Sequence, residues 1–123
     1  MPMISVVPKK VVDLQHNAII NLHEQCARFK LFDGKEPDDI YTYSVSDSYK
    51  TSDGPAMVAI AQYGDTYVIY APAYLSDKQF VIFSYILREM EPHEKIIVFS
   101  QKSYDAVKER SHFGQPVNVE LYV

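Results

Sequence analysis

His23 and Cys26 stand three residues apart, so on a helix they share one face and offer two metal-ligating atoms. A zinc-type site takes three or four convergent ligands, and His16, one heptad before His23, is the only nearby addition. Cys26 also falls on the apolar stripe of its helix, which favours a buried structural thiol. His93 follows Pro92 in a helix-to-strand turn, and His112 lies at a helix end, where a cation is favourable. Neither has a visible nucleophile partner. The chain has no G-x-S-x-G elbow, no P-loop and no Rossmann glycine fingerprint.

The residue type that does concentrate is tyrosine. Seven of the 10 tyrosines lie between Tyr41 and Tyr74. They overlap residues 33–54, where Asp33, Glu36, Asp38, Asp39, Asp47 and Asp53 face only Lys35 and Lys50, so this stretch carries the whole net charge of −4. Tyrosine offers broad contact area with a polar tip and is enriched at interfaces. Asp38, Asp39, Tyr41, Tyr43 and Asp47 therefore form a candidate surface for a basic protein partner, or a mimic of nucleic acid against one. The competing reading is a half-buried β-meander with a solvated acidic loop.

These residues sit in a chain of 123 residues with 47% apolar and 23% charged side chains, the size and composition of one globular domain, 1–123. Lys plus Arg is 12 against 16 for Asp plus Glu, which argues against direct nucleic-acid binding by phosphate neutralisation. A single cysteine makes no internal disulfide. No apolar run approaches a membrane span, and the lysines of MPMISVVPKKVV follow the apolar residues, the wrong order for a signal peptide. The expected location is the cytoplasm, of a cell or of an infected host.

Several elements must position the tyrosines and acids. Residues 3–7 predict a strand closed by Pro8, and residues 10–30 a helix whose stripe is Val11, Ala18, Leu22, Cys26 and Phe29, widened by Val12, Leu14 and Ile19. Strands follow at 40–45, 56–63 and 66–72, the last two joined by Gly64-Asp65, with Gly at the first central position as a type II′ turn requires. Ser76 and Gln79 form a capping-box pattern ahead of a buried helix from Asp77 to about Met90, stopped by Pro92. KIIVF (95–99) is continuously apolar, as in a parallel strand covered on both faces. Residues 103–112 predict a surface helix with Ser103 as N-cap, stopped at Gly114. VNVELYV (117–123) alternates as a final strand at a sheet edge. The fold class is α/β: a mixed sheet of about six strands flanked by three helices, in the order β-α-β-β-β-α-β-α-β.

That order, together with the phrase ISVVPKKVVDL, resembles the GCN5-related N-acetyltransferase (GNAT) superfamily, and within it the small divergent GNAT-like proteins of tailed phages. The resemblance covers nearly the whole chain. It implies an acetyl-CoA site at the start of the 77–90 helix, held by Leu75, Ser76 and Lys78. It also implies a splayed pair of parallel strands between TYVIYAP and KIIVF, a general acid at Tyr104 and a meander carboxylate, Asp47 or Asp65, as base. Tyr104 also reads as the first apolar contact of an amphipathic helix, and Asp65 as a turn residue. Active members cradle the pyrophosphate with a glycine-rich loop, whereas APAYLSDKQF (71–80) has no glycine and Asp77 stands where phosphate would lie. The closing hairpin is also incomplete.

The expectation is therefore a non-catalytic GNAT-like protein with an eroded acyl-CoA site and no cofactor. It would act as a protein-binding or structural accessory factor, plausible for a phage-encoded chain, and could self-associate through strand 117–123. The alternatives are an acetyl-CoA-dependent N-acetyltransferase with an atypical cofactor loop, and a binding module of unrelated α/β fold.

Overall fold

The computed structural model describes residues 9–45, 56–73, 75, 79–110 and 118–123. Three helices and five strands occupy them: α1 (Lys9–Arg28), β1 (Asp39–Val45), β2 (Ala56–Tyr63), β3 (Thr66–Tyr70), α2 (Ile82–Arg88), β4 (Lys95–Val98), α3 (Gln101–Arg110) and β5 (Asn118–Leu121). The sheet is mixed, with spatial order β1-β2-β3-β4-β5. The first three strands are antiparallel; β3–β4 and β4–β5 are parallel. The expected first strand, residues 3–7, lies outside the described residues, so five strands stand here rather than six.

Two crossovers in the same direction, each of the usual right hand, place their helices on one face of a sheet. The core divides accordingly. Val58, Ile60, Ile69, Ile96 and Val98 pack with Phe80, Phe83, Ile86, Ala106 and Val107 of the α2–α3 side. The intervening Met57, Ala59, Ala61, Tyr63, Val68 and Ile97 pack with Ala18, Leu22 and Cys26 of α1 on the other. β4 is thus covered on both faces, which is why its sequence is continuously apolar. The β3–β4 ladder runs unbroken from Thr66↔Lys95 to Ile69↔Val98, the whole length of β4, and shows no splay over that register. No helix among the described residues is long and apolar enough to cross a membrane.

The local signals resolve unequally. Gly64 has φ of 62° in a two-residue hairpin closed by Tyr63↔Thr66, while Asp65 keeps ordinary negative φ, as a type II′ turn demands. Helix α1 ends at Arg28, earlier than the apolar stripe suggests. The Leu31 amide donates to the Cys26 carbonyl at 2.9 Å and the Lys30 amide to that of Ala27 at 3.1 Å. That is a Schellman closure with Lys30 in the left-handed position, φ 53°. A side chain there costs about 1–2 kcal/mol, part of which glycine would return as unfolded-chain entropy. Lys30→Gly is expected to stabilise the fold by about 0.5–1 kcal/mol, read as a higher denaturation midpoint.

One helix differs from expectation in character and another in its start. The 77–90 helix is a short 3₁₀ turn, Gln79–Val81, followed by the seven-residue α2. Val81 precedes it without a side-chain cap, and Ser76 and Asp77 lie outside the described residues. This helix is not buried all round, since Val81 and Tyr85 are exposed. Helix α3 begins at Gln101, because Ser100 rather than Ser103 is its cap: Ser100 Oγ accepts the Ser103 amide at 3.1 Å. Ser103 itself is buried in the first turn and receives the Ser100 hydroxyl at 3.0 Å. Ser100→Ala is expected to cost about 0.5–2 kcal/mol in a denaturant titration; an unchanged midpoint would contradict the cap.

Among the described residues β5 is an edge strand, as its alternation suggested, with Val119 and Leu121 turned to the core. Val123, expected on the same face, is exposed, and Val117 lies outside the described residues. Glu120 on this edge pairs with Lys95 at 3.3 Å and accepts the Tyr122 hydroxyl at 3.0 Å, a charge that discourages strand addition.

Candidate functional site

Period-two alternation puts Tyr41 and Tyr43 on the α2 side of β1. The register carries that face across the sheet in rows: Asp39 opposite Gln62 opposite Tyr67, then Tyr41 opposite Ile60 opposite Ile69. Helices α2 and α3 lie beside one another, α3 over β5. Between α2 and the tyrosine face of β1 is a groove lined by Tyr41, Tyr43, Tyr67, Tyr85, Ile86, Glu89 and Met90. Its volume is about 60 Å³, against roughly 10–15 Å³ for a single water by the same measure. The Tyr41 and Tyr43 rings meet edge to face, centroids 5.5 Å apart and planes at 85°. Tyr43 and Tyr85 are 42% and 55% exposed, so the groove opens to solvent at these two rings.

Behind the groove lies a buried carboxylate. Glu94 closes the turn between α2 and β4: its amide donates to the Glu91 carbonyl at 3.1 Å and its Oε1 accepts the Glu91 amide at 2.6 Å. Its carboxylate also bears on the Tyr67 phenol. Burial, then the Glu94 hydrogen bond and charge, with smaller contributions from Tyr41 and Asp65, push the Tyr67 phenol up to about 12. Burial, then Tyr43, Asp39 and Glu94, raise that of Tyr41. Glu89, Glu94 and Asp39 thus bear on one cluster of rings. The cation placed among these rings is Arg88, whose guanidinium stands 5.7 Å over Tyr85.

The partner-surface residues read from the sequence separate. Tyr41, Tyr43 and Asp39 belong to the groove side. Asp38 does not: its Oδ2 accepts the Gly64 amide at 2.7 Å while its own amide donates to the Gln62 carbonyl at 2.7 Å, so it ties the start of β1 to the β2–β3 turn. Asp39 Oδ1 also accepts the amide of Ile40 at 2.9 Å. Asp47 lies outside the described residues. Tyr67, Tyr85, Glu89 and Glu94 were not singled out from the sequence. The parity of Tyr67 with Tyr41 is recoverable once the β1–β2–β3 register is known, but no local pattern places Tyr85 opposite them.

Among the residues implied by the GNAT resemblance, Ser76 and Lys78 lie outside the described residues. Leu75 is 1% exposed in the α2-side core. Its amide donates to the Pro72 carbonyl at 3.2 Å and its carbonyl accepts Lys102 Nζ at 2.8 Å. Both backbone groups are occupied within the chain. Tyr104 packs half-buried against the same core with Lys108 Nζ 5.7 Å from its ring centroid. Asp65 is a hairpin residue whose carbonyl accepts the Lys95 amide at 2.9 Å and whose carboxylate lies 3.5 Å from His93 Nε2 on the surface.

No protein-family model, curated protein or solved structure matches the chain. The site therefore stands on its own geometry. His23 is exposed on α1 while Cys26 is buried, and no cluster of three or more metal-ligating side chains occurs among the described residues. Burial raises the Cys26 thiol, partly offset by a hydrogen bond from Tyr63, and Tyr63 in turn stacks on Phe32 at 3.8 Å. This thiol is part of the α1-side core.

Proposed function

We propose that this chain is a non-catalytic binding module that docks a basic protein partner in the tyrosine-lined groove between β1 and α2, on a GNAT-like scaffold whose acyl-CoA site has been lost. The observation that carries this reading is the convergence of Tyr41, Tyr43, Tyr67 and Tyr85 with Glu89 in one open groove. Solvent-exposed tyrosine contributes contact area at low entropic cost, and the surrounding carboxylates favour a cationic partner and speed its encounter. The Leu75 amide, bonded within the chain, supports the loss of acyl-CoA binding, while the unsplayed β3–β4 pair departs from what the GNAT resemblance implies.

The test joins two measurements on the full chain. Affinity capture from host lysate is compared between wild type and a Tyr43→Asp, Tyr85→Asp variant, with binding kinetics of the recovered partner followed against salt. A partner lost by the variant, with an association rate that falls as salt rises, is expected. Calorimetry with acetyl-CoA is expected to show no binding at micromolar concentrations. Tight acetyl-CoA binding, or a partner retained by the double variant, would overturn the reading.

A further inference from the structure

We infer that the groove is an aromatic cage for an alkylated ammonium group, such as trimethyllysine, carried on a side chain of the partner. The inference rests on the reading of the groove as a partner surface and names the chemistry that surface selects.

Tyrosine rings carry negative charge density on their faces and attract cations within about 6 Å of the centroid. Tyr41 and Tyr43, packed edge to face, line the groove from β1. Tyr85 stands on α2 across from them, and Tyr67 completes the ring set from β3. The Arg88 guanidinium stands 5.7 Å over Tyr85, so a ligand meets the part of that ring that Arg88 leaves open. The carboxylates favour a cation. Glu89 lines the groove, Asp39 lies in the sheet row that contains Tyr67, and Glu94 bears on the Tyr67 phenol. A cation entering the groove therefore meets ring faces and carboxylates together.

The lining also discriminates among cations. A bare ammonium is compact, strongly hydrated and brings three donors that need acceptors. A guanidinium brings five donors in a planar fork suited to a paired carboxylate. Among the described residues Glu89 is the one carboxylate on the lining, and the rest is tyrosine ring and hydroxyl, Ile86 and Met90. An alkylated ammonium carries the same charge with fewer donors and sheds its water more readily. The groove volume of about 60 Å³ suits one such head group and not an extended peptide.

The experiment is a calorimetric titration of the full chain with four probes. These are tetramethylammonium and one short peptide carrying trimethyllysine, unmodified lysine, or the neutral carbon isostere of trimethyllysine. The trimethyllysine peptide is expected to bind saturably and roughly tenfold more tightly than the neutral isostere, with unmodified lysine weaker than trimethyllysine. Tyr43→Leu and Tyr85→Leu retain apolar bulk at exposed positions and are each expected to weaken the trimethyllysine peptide roughly tenfold; Glu89→Gln should also weaken it. Equal binding of charged and neutral probes, a preference for unmodified lysine, or no saturable binding overturns the cage. Tetramethylammonium binding as tightly as the peptide assigns the groove to a free small ligand and overturns the partner side chain as its source. If no ammonium probe binds while the Tyr43→Asp, Tyr85→Asp variant still loses its partner in capture, the cage falls and the partner surface stands.

Discussion

Phe83→Ala is expected to cost about 3–5 kcal/mol, enough to remove much of the stability of a domain this size, since such domains hold only about 5–15 kcal/mol in all. Phe83 is fully buried and stacks on Phe80 at 5.5 Å, with planes 11° apart. The cluster around it joins β2, β3 and β4 to α3. Helix α2 has seven residues and, at that length, does not persist in water without tertiary packing. Removing its central anchor therefore leaves a cavity and also releases the wall that carries Tyr85, Ile86 and Glu89. A urea titration reads the stability loss. A milder variant, Phe83→Leu, keeps the fold populated enough to test whether partner binding weakens with the helix. A change below about 1 kcal/mol for Phe83→Ala would mean that α2 is not held as described.

Glu94→Ala carries the second large effect, about 1.5–3 kcal/mol. The residue is buried and its carboxylate accepts the Glu91 amide at 2.6 Å. Alanine leaves that amide without its partner, and bonds to a charged acceptor are the stronger kind. Glu94→Gln keeps an acceptor and removes the charge, so its cost should be smaller. Glu94 also bears on Tyr67 and so sets an alkaline limit. In the fold Tyr67 ionises at about 12 rather than the ordinary 10. The folded state thus holds its proton where the unfolded state has lost it. The stabilisation is fully present below pH 10 and is lost as the pH rises toward 12. Followed by tyrosinate absorbance, one phenol should titrate with global unfolding in this window, and Glu94→Gln should bring it toward the ordinary range. A Tyr67 that ionises like a free phenol in the folded protein would remove the influence of Glu94 from the account.

Elements whose signals are local were legible, and their limits were set by neighbours. The Gly64-Asp65 turn could be read because a two-residue hairpin needs positive φ at one defined position, and glycine supplies it. KIIVF could be read as a doubly covered strand because apolarity without alternation has few other uses at that length. Helix α3 was misplaced by two residues because Ser100 and Ser103 are both good caps in isolation. The choice fell to Ser100, whose hydroxyl meets the Ser103 amide only after β4 has ended there. The end of α1 was overextended because Phe29 continues its apolar stripe. The chain instead closes at Lys30 in a left-handed conformation that lysine, unlike glycine, does not announce.

The candidate site divides in the same way. Composition alone located tyrosine and acid together near β1, and period-two alternation alone put Tyr41 and Tyr43 on one face, since both are properties of residues close in the chain. Tertiary structure decided that Asp38 braces the hairpin at Gly64 rather than facing a partner, because that bond joins residues 26 positions apart. It also brought Tyr85 and Glu89 across from Tyr41 and seated Glu94 against Tyr67. Those contacts depend on where two crossovers of one hand set α2 upon the sheet. The periodicity of a single segment records which of its faces is buried, but not which residues of a distant segment that face will meet.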